Sequence, residues 1–174
     1  MFTFQFEAQP EDVARFHIFA AEDQPDNKMR AVIRRSLIFL CYAVFATILF
    51  VKGRYATAMA IMLFAVAFFL LIKPLNRLII RSRVRALWKR NPGMNRTVKI
   101  QFDADSAMLE KPGGGSTLTF RYTELADVYE KNGYLFLMVN RNYGVYLPFR
   151  AFRDEEEYSI FKQFLTLKTG KPIQ

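Results

Sequence analysis

Chemistry at a protein site needs nucleophiles, bases or ligands in groups, and few such residue types are grouped here. His17 is the only histidine and Cys41 the only cysteine of 174 residues. A lone imidazole among apolar neighbours, with no second His or Cys to share a metal, reads as a packing or surface residue. Cys41 lies inside an apolar run, so no intrachain disulfide or cysteine-based metal site can form. Asp103 and Asp105 stand two apart and would place two carboxylates on one face of a strand. A hard divalent cation wants six or more oxygens, so this pair reads as a solvated strand end. Glu155-Glu156-Glu157 reads as a charged helix start. Gly113-Gly114-Gly115 is not a phosphate loop, because no helix follows and no Gly-Lys-Ser/Thr closes it. Catalytic residues, a metal site and a cofactor are therefore not expected, and the sequence points to a non-enzymatic protein.

The charge is better organised. The net charge of +9 comes from one block: Lys73 to Lys99 holds nine Lys/Arg and no Asp or Glu. The other residues carry sixteen basic and sixteen acidic groups and cancel. A basic block beside an apolar run is the pattern of a membrane-flanking segment rather than of a nucleic-acid site. Within it Arg77, Arg81 and Arg85 recur at helical spacing, and Arg83, Lys89 and Arg90 lie nearby. These six are the candidate contacts for anionic lipid headgroups, each worth about 1 kcal/mol near the surface. Trp88 suits an interfacial position.

Those side chains must be positioned by two apolar runs, Ser36–Val51 and Tyr55–Ile72, of sixteen and eighteen uncharged residues. Lys52-Gly53-Arg54 separates them. A hydrocarbon core about 30 Å thick takes roughly 20 helical residues. Ala31, Val32 and Ile33 lengthen the first run, and Arg34 and Arg35 can snorkel from its end. The reading is an antiparallel transmembrane hairpin with Lys52–Arg54 as its reversal. Basic flanks on both outer ends place both termini in the cytoplasm. Residues 1–30 lack a signal-peptide core, so the first span is expected to be an uncleaved anchor.

Before the hairpin, FTFQFE (Phe2–Glu7) alternates as a short strand. PEDVARFHIFAAED then starts a helix with Val13, Phe16, Phe19 and Ala20 on one face. After the basic block the period becomes two, giving strands in TVKIQFD, SAMLEK, TLTFRY, ADVYEK, YLFLMVN and GVYLPF. Pro112–Ser116, Asn132-Gly133 and Arg141–Gly144 are turn signals. The C-terminal DEEEYSIFKQFLTLKTG reads as a helix with Asp154 as N-cap, acidic residues at the positive dipole end and Gly170 as its stop. A lone strand is not stable, and both flanks return to one side of the membrane, so Phe2–Glu7 is expected to join the sheet formed by 97–149.

The strand-rich tail followed by VYLPFRAFRDEEEYSIFKQFL, with Leu147-Pro148-Phe149-Arg150-Ala151-Phe152 its most specific part, resembles the YcxB-like family of bacterial membrane proteins. That resemblance implies a short N-terminal strand and helix, two transmembrane helices and a pleckstrin-homology-like (PH-like) cytoplasmic domain. It brings no catalytic residues with it. The expected architecture is an α+β membrane protein. Residues 1–30 form the N-terminal strand and helix packed on the C-terminal domain, 31–73 the hairpin, 74–96 a basic juxtamembrane helix, and 97–174 the PH-like domain. The expected function is interaction of that domain with a protein, peptide or lipid headgroup at the bacterial inner membrane. An immunity or resistance protein against a membrane-active toxin is the alternative. Expected partners are a bilayer with anionic headgroups and a protein or second copy meeting the hairpin or a sheet edge, with no nucleic acid.

Overall fold

The computed structural model describes residues 1–91, 96–110, 117–140 and 143–174. The expected turns at Pro112–Ser116 and at Arg141-Asn142 lie outside those residues. The chain is α+β, with two long apolar helices and two antiparallel sheets.

Strand β1 (Phe2–Glu7) opens the chain, and α1 (Pro10–Ile18) follows, starting with Pro10 at a position where its missing N–H costs nothing. A π-helical turn, Phe19–Asp23, ends α1. Helix α2 (Pro25–Val51) and helix α3 (Tyr55–Arg90) then form the hairpin, with Gly53 at φ +77° in the reversal. At 27 and 36 residues they are about 40 Å and about 54 Å long. Both are long and apolar enough to cross a membrane. The basic stretch expected to be helical over 74–96 is helical as far as Arg90, as the continuation of α3, which runs through Pro74 unbroken. A proline removes one backbone hydrogen bond, a loss that neighbouring turns of a long helix can absorb.

The hairpin's own contact is narrow. Ala46, Ala58 and Ala65 are buried where the helices meet, whereas Leu37, Leu40, Phe45, Met59, Leu63 and Phe64 are exposed. Small residues let the backbones approach, and the large side chains are left facing outward. Phe39 lies against Phe69 and Tyr42 against Phe64, which fixes the antiparallel register.

Strands β2 (Thr97–Phe102), β3 (Ser106–Glu110) and β4 (Thr117–Arg121) continue the first sheet, in the order β1-β2-β3-β4. Strand β1 pairs with β2 along all six residues, from Phe2 opposite Phe102 to Glu7 opposite Thr97. Strands β5 (Asp127–Lys131), β6 (Tyr134–Met138) and β7 (Gly144–Pro148) make a second sheet in chain order, so 97–149 forms parts of two sheets rather than one. Asn132 (φ 52°) and Gly133 (φ 78°) supply the left-handed pair a two-residue hairpin turn requires. At the start of β7 a side chain on Gly144 would collide with the Leu137 carbonyl of β6.

Helix α4 (Glu155–Thr169) closes the domain. The Asp154 carboxylate accepts the Glu157 N–H at 2.7 Å, and Gly170 ends the helix in the left-handed region. Phe161 and Leu165 of α4 are fully buried with Phe4, Ile100, Phe102, Leu135 and Leu147 between the two sheets. The Phe161 ring meets those of Phe2, Phe4 and Phe102 at 4.8–5.3 Å. Strand β6 is buried at every residue. Leu135 and Leu137 face this core, while Tyr134, Phe136 and Met138 join Phe16, Phe19 and Ala20 in a second one. A strand covered on both faces reads as a continuous apolar run, which is what YLFLM is.

Candidate functional site

The N-terminal segment is the piece that joins the sheets to the long helices. Phe19 stacks on Phe136 at 4.3 Å with the rings almost parallel, fastening the end of α1 to β6. At its other end α1 is held by Asp12, which is fully buried. One Asp12 oxygen accepts the Tyr134 hydroxyl at 2.6 Å and Arg150 Nη1 at 2.9 Å; the other accepts the Gln9 N–H at 2.7 Å and Arg150 Nη2. Arg150 Nη2 also donates to the Glu7 carbonyl at 3.2 Å. Burial pushes the Asp12 carboxyl up, but the Arg150 and Tyr134 hydrogen bonds outweigh it and hold it below the usual value. The same contacts, against burial, raise the Arg150 guanidinium, while burial and Asp12 raise the Tyr134 hydroxyl. A buried carboxylate with both oxygens satisfied makes this pair a clamp between α1 and the segment after β7.

A second polar centre lies where α1 ends against the hairpin. Glu22 is 4% exposed, accepts Asn76 at 2.8 Å and Arg77 at 3.0 Å, and lies 3.7 Å from Arg35. Asp23 accepts Arg77 Nη2 at 2.9 Å and is flanked by Lys131 and Lys73. Sequence reasoning left Glu22 and Asp23 as undistinguished acids in a polar segment. Their hydrogen-bond partners Asn76 and Arg77 are 54 or 55 residues away along the chain, and no local pattern reports that.

These contacts redistribute the six basic candidates. The row Arg77, Arg81, Arg85 faces the N-terminal segment. Arg77 binds Glu22 and Asp23, and Arg85 binds Glu11 at 2.8 Å, an exposed pair. Arg81 lines a basic pocket beside them. Arg83, Lys89 and Arg90 are exposed, and among the described residues they make no ion pair. Trp88 stands sixteen residues beyond Ile72, about 24 Å farther along α3. It packs against the domain core with Arg96 5.2 Å above its ring. A mostly apolar cavity of about 370 Å³ opens here between Trp88, Val84, Val13, Val98 and Tyr146.

The basic pocket has a volume of about 280 Å³. Arg15, Arg77, Arg81 and Lys131 surround it, and Asp23 is its one acid. The Arg15 guanidinium lies 5.4 Å from the Tyr134 ring centre and reaches the Asn132 carbonyl at 3.4 Å. His17 is exposed on α1, and Cys41 is exposed on α2. Asp103 and Asp105 fall in the turn after β2 rather than on a strand. Among the described residues no three His, Cys, Asp or Glu come together as a metal site would need.

Residues 105–165 match the family described as YcxB-like protein. The match runs from the turn before β3 to the last buried turn of α4. It covers β3 and β4 of the first sheet, all of the second sheet and most of α4, but not β1, β2 or the hairpin. No curated protein and no solved structure matches the chain.

Proposed function

We propose that this is a non-enzymatic protein of the bacterial inner membrane. In this reading α2 and α3 cross the bilayer, both termini are cytoplasmic, and a PH-like domain is held against the membrane for interaction with a protein, a peptide or lipid headgroups. One observation carries it. In the most apolar stretches of α2 and α3 only 6% and 11% of the residues are buried, although mean hydropathy there reaches 1.8 and 2.4. Soluble monomers rarely expose contiguous apolar patches beyond a few hundred Å², so these faces need lipid or another chain around them. The level of the charges supports lipid. By the hairpin register Arg34 and Arg35 lie beside Lys73, so the cations begin together where both apolar faces end. Two antiparallel sheets sealed by one C-terminal helix, with the YcxB-like match over β3 to β7 and most of that helix, support the PH-like part of the reading.

Alkaline carbonate washing of membranes from cells expressing the full chain tests this directly. The protein should stay in the pellet and be released by detergent. Release by carbonate alone would mean that the exposed helices are covered by protein rather than by lipid.

A further inference from the structure

We propose that the pocket between Arg15, Arg77, Arg81 and Lys131 binds the phosphomonoester headgroup of a bilayer lipid. The inference rests on the membrane placement proposed above and names the headgroup chemistry. Four cations and one acid line the pocket, and with Glu22, which Arg77 also binds, the cluster keeps two net positive charges. Arg77 is held by Glu22 and Asp23 and Lys131 lies 3.5 Å from Asp23, but Arg81 has no carboxylate partner among the described residues. Phe19 and Phe136 back the pocket with buried aromatic surface, which lowers the local dielectric and strengthens attraction for an anion. The cations come from three separate elements, α1, α3 and the end of β5, so they converge on one space rather than forming a stripe along a helix.

Height along α3 selects a lipid. Arg77 and Arg81 lie five and nine residues beyond Ile72, about 8 Å and about 14 Å past the end of the apolar run. The headgroup layer extends roughly 5–8 Å from the hydrocarbon boundary. Long arginine and lysine side chains bridge the remaining distance. Charge selects the ester. A phosphomonoester carries close to two negative charges at neutral pH, whereas a phosphodiester carries one, and a pocket this positive favours the former.

The test uses the full chain in nanodiscs of phosphatidylcholine with equal mole fractions of phosphatidic acid and phosphatidylglycerol, with retained lipid counted by native mass spectrometry. Wild type should retain phosphatidic acid about tenfold over phosphatidylglycerol, the effect of one charge-assisted contact. Arg81→Gln with Lys131→Gln should abolish the preference while Trp88 fluorescence still reports a folded domain. Arg83→Gln with Arg90→Gln, equal in charge removed but outside the pocket, should leave it intact. Equal retention of the two lipids by wild type, or equal loss in both double variants, overturns the proposal. Glycerol 3-phosphate is the soluble arm: complete displacement of phosphatidic acid at micromolar concentration would assign the pocket to a soluble phosphomonoester and overturn the lipid source. Failure of the carbonate experiment sinks the membrane reading, whereas loss of lipid preference in a chain that stays in the pellet sinks this inference alone.

Discussion

Arg150 and Asp12, 138 residues apart, form a bidentate pair in which the Asp12 side chain is fully buried and the Arg150 side chain is 38% exposed. That inequality gives the pair an asymmetric response to mutation. Arg150→Met leaves a buried carboxylate with only Tyr134 and the Gln9 N–H, and should cost about 3–5 kcal/mol. Asp12→Asn should cost less, because the freed guanidinium can turn toward water. Denaturant unfolding in detergent micelles, followed by Trp88 fluorescence, measures both. The folded-state carboxyl lies below its ordinary value of 3.8, so its stabilisation is complete above that pH and is lost as pH falls through the folded value. Wild type should therefore lose its advantage over Asp12→Asn below about pH 4. An advantage that stays constant through that range would mean Asp12 is not the titrating group.

Arg77 and Arg85 occupy the same helical row but differ in what they leave behind. Arg85 and Glu11 are 61% and 49% exposed, so Arg85→Ala should cost less than about 1 kcal/mol. Arg77→Ala strands Glu22, whose side chain is 3% exposed, and should cost about 2 kcal/mol or more even with Arg35 and Asn76 nearby. The same unfolding assay ranks them. Equal costs would show that Glu22 finds water when Arg77 is gone.

The N-terminal strand belongs to the domain from which the hairpin separates it in sequence. Phe4 on β1 is 2% exposed and packs on Phe102, Phe152 and Phe161. Phe4→Ala should destabilise the domain by about 3–5 kcal/mol, and half-buried Phe2→Ala by less. Deleting residues 1–8 should do more, since it also bares the β2 edge. An unchanged unfolding midpoint in the deletion would show that the strand is dispensable.

What could be read from the sequence was local. Period-two alternation placed seven strands, and Asp154 and Gly170 marked both ends of α4, because strands, caps and turns are set by neighbours a few residues apart. The joining of Phe2–Glu7 to the sheet followed from a physical requirement, that a single strand needs a partner. The contacts that organise the candidate site were not legible. Asp12 with Arg150, and Glu22 with Arg77, are long-range pairs of ordinary surface-type residues, and helical spacing made Arg77 and Arg85 look free. The helical character expected after Pro74 is that of α3 itself, which is continuous on both sides of the proline. The basic pocket is likewise invisible in sequence, since Arg15, Arg81 and Lys131 come from three distant elements.

Cysteine accessibility tests the central claim that α2 and α3 form a membrane-crossing hairpin with both ends in the cytoplasm. In a Cys41→Ala background, Gly53→Cys lies in the hairpin reversal and Ser159→Cys on the exposed face of α4. A membrane-impermeant maleimide applied to intact spheroplasts should label position 53 and not 159, with both labelled after lysis. Labelling of position 159 in intact spheroplasts, or of neither position, would contradict the account.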